Sequence, residues 1–168
     1  MMQLIQDQDN MPRVVETVRN KIGYSNLMFQ FSTINEFIKT ISDIKDANSK
    51  FPFFFIHSIG VKYDDTSQNV ICDVQDIIIA TDSKPDWTRE FREEQSMIRL
   101  REILDAWLDR LRIDHKIDIV KYGNIVPHYF YGNTGISGYE GEVFPEHVDA
   151  IHLLNFQFRI KNNNIYKK

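Results

Sequence analysis

The sequence predicts a single α+β domain: a mostly antiparallel, mixed sheet with one long hairpin, packed by two or three helices. Three observations predict it. Apolar residues recur at helical spacing in three separate segments. Runs rich in β-branched and aromatic residues mark the others as strands. The 168 residues suit one domain, and no linker or internal repeat divides them.

The elements follow in order. Pro12 opens a first helix, where its missing N–H costs nothing, and Val14, Val15, Val18 and Ile22 continue it to a stop at Gly23. Leu27 to Phe31 reads as a short strand. Thr33 and Glu36 have the capping-box spacing, and Ile34, Phe37, Ile38, Ile41 and Ile44 give the stripe of a second helix, Thr33 to Asp46. Phe51 to Ile59 is a buried strand, with Pro52 at its entrance. Gly60 to Asn69 is polar and turn-rich, and Val70 to Thr81 returns as a strand, so the three form a long hairpin.

Asp82 to Asp86 breaks the chain before the longest helix, Trp87 to Arg112. Met97, Leu100, Leu104, Trp107 and Leu111 form its buried face, widened by Ile103 and Leu108. Six arginines balance six acids between Arg89 and Arg112, so the polar face reads as solvated and not as a DNA-binding surface. The last third reads as β: Ile117 to Val120, Ile125 to Tyr131, and Val148 to Lys161. In the last strand Ile151, Leu153 and Asn155 are expected on one face. His152, Leu154, Phe156, Phe158 and Ile160 are expected on the other. Gly132 to Gly141 reads as a mobile loop, and residues 1–10 and 162–168 as flexible ends.

Composition narrows the function. Hydrophobic residues at 42% and charged residues at 26% exclude a wholly disordered chain. Seven glycines and five prolines exclude a collagenous one. The net charge of −4 argues against a protein that coats nucleic acid, which needs clustered Lys and Arg. A single cysteine, Cys72, excludes an intrachain disulfide and a Cys-based zinc site, and fits a reducing compartment. Met1 to Asn10 is too polar for a signal peptide, and no run approaches a membrane span. The expectation is a soluble, intracellular chain made in the cytoplasm, with no membrane contact.

Residues able to do chemistry are present but scattered. His57, His115, His128, His147 and His152 include no pair at the spacing of a helical metal site. Asp64 and Asp65 fall in the hairpin loop and Asp73 and Asp76 in the strand after it. Paired carboxylates could serve acid–base or metal chemistry, but loop aspartates read more simply as turn residues. Cys72 alternates with strand residues and reads as a small buried hydrophobe. Phosphate-binding, dinucleotide-binding and nucleophile-elbow motifs are absent from the sequence. The reading is therefore no catalytic residue, no cofactor and no metal, and a binding or structural module.

The order of elements resembles the tail terminator family of tailed bacteriophages, ring proteins of the head–tail junction. The resemblance rests on the helix ending near Gly23, the Phe51-Pro52-Phe53-Phe54-Phe55-Ile56 strand with its polar hairpin, and the strand Val70 to Thr81. It continues through Arg92, Glu93, Glu94, Gln95 and Ser96, early in the long helix, to the alternating strand Val148 to Phe156. It covers about Pro12 to Ile160. The stretch Asp76 to Ser96 is most similar to connector proteins of Bacteroidetes phages, some of them crAss-like. The helix Thr33 to Asp46 and the longer glycine-rich loop depart from lambda-type terminators.

The resemblance implies a virion protein and no enzyme. Copies would close head to tail into a cyclic ring, sixfold or twelvefold, between the connector or portal side and the tail proteins. Genomic DNA would meet it only in passing through the lumen. The contact elements expected on that reading are the hairpin, with Tyr63, Asp64, Asp65 and Gln68, and the glycine-rich loop, with Gly132, Gly135, Ile136, Gly138 and Tyr139. Both segments are polar, extended and unneeded for a core. Two alternatives stand beside it. One is a monomeric protein-binding adaptor. The other is a small metal-dependent hydrolase or nuclease using Asp64, Asp65, Asp73 and a histidine.

Overall fold

The computed structural model of the chain describes residues 16, 19, 20, 23, 26–46, 51–57, 59–64, 69–115, 117–129 and 147–160. Glu16, Arg19 and Asn20 are helical, and Gly23 takes φ +75°, in keeping with the expected helix and its glycine stop. The strands are β1 (Met28–Phe31), β2 (Phe53–Ile56), β3 (Ile59–Asp64), β4 (Asn69–Asp82), β5 (Ile117–Lys121), β6 (Asn124–His128) and β7 (Val148–Ile160). The helices are α1 (Ile34–Asp43), α2 (Arg89–Arg92) and α3 (Ile98–His115), with one turn of π-helix, Glu93–Met97, between the last two.

All seven strands join one sheet in the order β1-β2-β4-β7-β5, with β3 beside β4 and β6 beside β7. Among the described strands, β1 and β2 alone pair in parallel and the other pairings are antiparallel. This is the α+β class that the patterning predicts. A parallel pair needs a crossover, and α1 supplies it. The helical segment from α2 to α3 likewise carries the chain from β4 across to the far edge at β5.

The two crossovers lie on opposite faces. On one face Met97 of the π-helical turn and Leu100, Ile103, Leu104, Trp107 and Leu111 of α3 pack against Phe54, Ile56, Val74, Ile77, Leu153 and Phe156. On the other, Phe37, Ile38 and Ile41 of α1 cover Phe53, Phe55, Ile78, Ala80, Val148 and Ala150. Phe37 stacks on Phe55 with ring centroids 4.3 Å apart. Strands covered on both faces need continuous apolar runs, which is why Phe53 to Ile56 and Ile77 to Ala80 lack alternation.

α1 starts where its capping box predicts. The Thr33 hydroxyl accepts from the Glu36 backbone N–H at 3.3 Å, and the Glu36 carboxylate accepts from the Thr33 N–H at 3.0 Å. Donation to that carboxylate by the Thr33 backbone N–H, and then by the Thr33 hydroxyl at 2.9 Å, holds the Glu36 carboxyl below its ordinary value. Thr33→Ala is expected to cost about 1 kcal/mol of stability, read from the urea midpoint.

The expected strand Phe51 to Ile59 is instead two strands, with His57 lying between β2 and β3. Both run along the same side of β4, and β5 and β6 likewise run end to end along β7. The interruptions fall at one level of the sheet. Val74 and Ile77 of β4 both face α3, as do Leu153 and Phe156 of β7, so each long strand changes phase there. In β7 the change occurs at Asn155, which has φ +58°. Asn tolerates that left-handed conformation better than most residues. The two-face pattern expected for the last strand is therefore corrected: Ile151, Leu153, Phe156 and Phe158 share one core. Gly123, between β5 and β6, takes φ +72°, and a Cβ there would lie 2.1 Å from the Leu154 carbonyl oxygen. Only glycine fits that approach. A crease thus crosses the sheet at His57, Gln75–Asp76, Asn155 and Gly123.

Candidate functional site

The structure separates the residues that sequence reading grouped. Tyr63 and Asp64 belong to β3, in register with Val70 and Asn69, so they are strand residues and not part of a free loop. The polar run Gly60 to Asp64 pairs because the alternating strand opposite it supplies a ladder partner for each residue. Asp65, Gln68, Gly132, Gly135, Ile136, Gly138 and Tyr139 lie outside the described residues, as do the two ends of the chain.

The aspartates do not gather either. Asp73 accepts from Lys62 Nζ at 3.1 Å. Asp76 turns to two histidines instead: its carboxylate lies 2.8 Å from His152 Nε2 and 3.4 Å from His57 Nδ1. The His128 ring follows, 5.9 Å from that of His152. His57, just past the end of β2, thus forms a row with Asp76 of β4, His152 of β7 and His128 of β6, on the face that α1 partly covers. Burial, and then the neighbouring His152 imidazole, push His128 below the ordinary histidine value. Among the described residues, no group of three or more His, Cys, Asp or Glu side chains is arranged to hold a metal ion. Cys72 is buried in the α3-side core, as its alternation predicts.

A buried ion pair that the sequence reading missed sits on the α3 side. Arg92 and Asp149 meet at 2.6 Å, 1% and 0% exposed. Arg92 also donates to the Trp87 carbonyl, the Ser83 hydroxyl and the Lys84 carbonyl. One of the six arginines of a helix expected to keep its charges in water is therefore a core residue. An aspartate between Val148 and Ala150, in an otherwise apolar strand entrance, was the available signal. Nearby, the Tyr129 hydroxyl donates to Glu93 at 2.8 Å, which raises the tyrosine above its ordinary value. Arg101 pairs with Glu93, and Arg89 stacks over the Tyr129 ring.

The surface has an uneven apolar margin. Exposed large apolar side chains among the described residues are Phe31, Phe91, Ile98, Ile113, Val120, Tyr122 and Ile125. The last four come from one stretch that runs from the end of α3 through β5 into β6, the edge of the sheet opposite β1. Arg112 of α3 stacks over the Tyr122 ring and donates to its hydroxyl. Tyr and Arg are the residue types enriched in protein interfaces.

Comparison of the chain with protein-family models, with curated proteins and with solved structures finds no match. No helix of the described residues is long and apolar enough to cross a membrane.

Proposed function

We propose that this chain is a structural subunit that assembles with copies of itself, and specifically a ring protein of the head–tail junction of a tailed phage. The observation that carries the assembly reading is the set of exposed apolar side chains Val120, Tyr122 and Ile125 on the β5–β6 edge, with Ile113 at the end of α3. The opposite edge, β1, ends in exposed Phe31. The two edges are unlike, and contact between unlike surfaces is heterologous: it closes into a ring when its rotation closes. Pro127 in β6 has no N–H to extend a ladder, so side chains would carry that part of the contact. The resemblance in element order supplies the phage assignment, with connector or portal proteins on one side and tail proteins on the other.

Light scattering across a concentration series, with electron microscopy of any large species, tests the assembly. A closed ring supports the reading and gives its copy number. Val120→Lys with Ile125→Lys is expected to abolish the ring while leaving stability within about 1 kcal/mol, the usual range for two surface substitutions. A monomer at every concentration, absent from purified particles, overturns the reading in favour of a binding adaptor.

A further inference from the structure

We propose that the row His57–Asp76–His152–His128 is a proton-operated latch: it holds edge strand β6 against β7 and releases β6 on mild acidification. The latch is a property of the single chain and stands whether or not copies assemble.

Four neighbouring strand lines each contribute one titratable side chain at the level of the crease. Asp76 is the only carboxylate of the row, and it lies between His57 and His152. With neutral imidazoles it accepts a hydrogen bond from each. One imidazolium at His152 is balanced by Asp76 at 2.8 Å. A second at His128 would face that first cation across 5.9 Å between ring centroids, in a half-buried setting. Like charges so placed repel, and partial burial weakens the screening that water would give. Among the described residues, the next charges on this face are paired or solvated, Asp82 opposite Val148 being exposed. Lys62 pairs with Asp73 beyond the crease, and Asp118 and Arg159 stand opposite each other in register at the far end of β7. Helix α1 turns Phe37, Ile38 and Ile41 to the sheet and leaves Glu36, Lys39 and Asp43 in solvent.

The strain of a second proton falls on β6, which carries His128. This strand is five residues long and at the sheet edge; none of its residues is fully buried, and Pro127 cannot donate to the ladder. Such strands are the low-stability units of a fold. His128 is held below the ordinary histidine value, so the opened strand binds a proton that the closed one does not. Closure is therefore fully favoured above the ordinary histidine value and is lost as pH falls below it toward the depressed one.

Amide hydrogen exchange on the full chain between about pH 5.5 and 7.5, corrected for intrinsic exchange, tests the latch. The β6 amides are expected to show an opening constant that rises up to about tenfold per pH unit on acidification, the limit for one proton taken up. The β4 amides paired with β7 should change little over the same range. His128→Gln, which cannot charge, should flatten the β6 slope. A flat β6 response, an equal response in every strand, or an unchanged slope in His128→Gln overturns the latch. The comparison of β6 with β4 needs no variant, so it decides the matter even if His128→Gln misfolds.

Discussion

Asp149→Ala is expected to remove about 3–5 kcal/mol of folding stability, because it leaves the Arg92 guanidinium charged and buried. The cost comes from the geometry. Arg92 is 1% exposed and cannot turn to water without unpacking the entrance of the long helical segment. The Ser83 hydroxyl and the carbonyls of Trp87 and Lys84, which also accept from Arg92, are neutral and do not replace a carboxylate at 2.6 Å. The pair also ties three parts of the chain together: the start of the helical segment, the turn after β4 and the first residues of β7. Ser83 N–H donates to the His147 carbonyl beside it, so the same corner is laced by backbone as well. Arg92→Met with Asp149→Leu removes both charges and fills the space with apolar atoms. That double variant should recover most of the loss, since a buried pair is costly to break but not costly to replace. Urea unfolding of the wild type, the single and the double variant measures both quantities. A loss below about 1 kcal/mol in Asp149→Ala would mean that water reaches the pair.

Local signals in the sequence were read well where one physical effect dominated. The capping box at Thr33 and Glu36 predicted the start of α1, because its two hydrogen bonds involve only neighbouring residues. The apolar stripe from Met97 to Leu111 predicted the buried face of α3, because helical periodicity is set by the helix itself. The antiparallel return of Val70 to Thr81 against the Phe53–Ile56 strand was legible as a hairpin, although Gly60 to Asp64, expected in its loop, pairs as β3.

What was not legible depends on partners far away in the chain. The phase change at Asn155 cannot be found in its own strand. It matches the change in β4 on one side and the kink at Gly123 on the other. The burial of Arg92 depends on Asp149, 57 residues later, and nothing near Arg92 distinguishes it from the solvated arginines of the same helix. The row of histidines had the same fate. His57, His128 and His152 are distant in sequence and become neighbours only through the strand order β2-β4-β7-β6. The contact segments inferred from polarity and glycine content fared differently: Tyr63 and Asp64 proved to be paired strand residues. Polarity alone did not separate a strand with a wet face from a loop.

Trp107→Ala is expected to cost about 3–5 kcal/mol, the range for emptying a large aromatic site in a core. Trp107 is fully buried at the centre of the α3 face. Its ring centroid lies 5.1 Å from that of Phe54 in β2 and 5.7 Å from that of Phe156 in β7. These two strands flank β4, so the indole spans the sheet where α3 crosses it and touches both sides of the phase change. Truncation removes the hydrophobic transfer energy of the ring and leaves a cavity that three strands and a helix cannot close without bending together. Trp107→Phe separates packing from polarity. The indole N–H is buried with no hydrogen-bond partner among the described residues. Phenylalanine gives up part of the ring volume but also removes that unpaired donor, whose burial is itself unfavourable. Its loss should therefore be less than half that of alanine, with the slope of the urea transition unchanged. If alanine costs under about 1 kcal/mol, Trp107 is not the keystone of this face and the helix packs elsewhere. If phenylalanine costs as much as alanine, the indole N–H has a partner that matters, and polarity as well as volume holds α3 on the sheet.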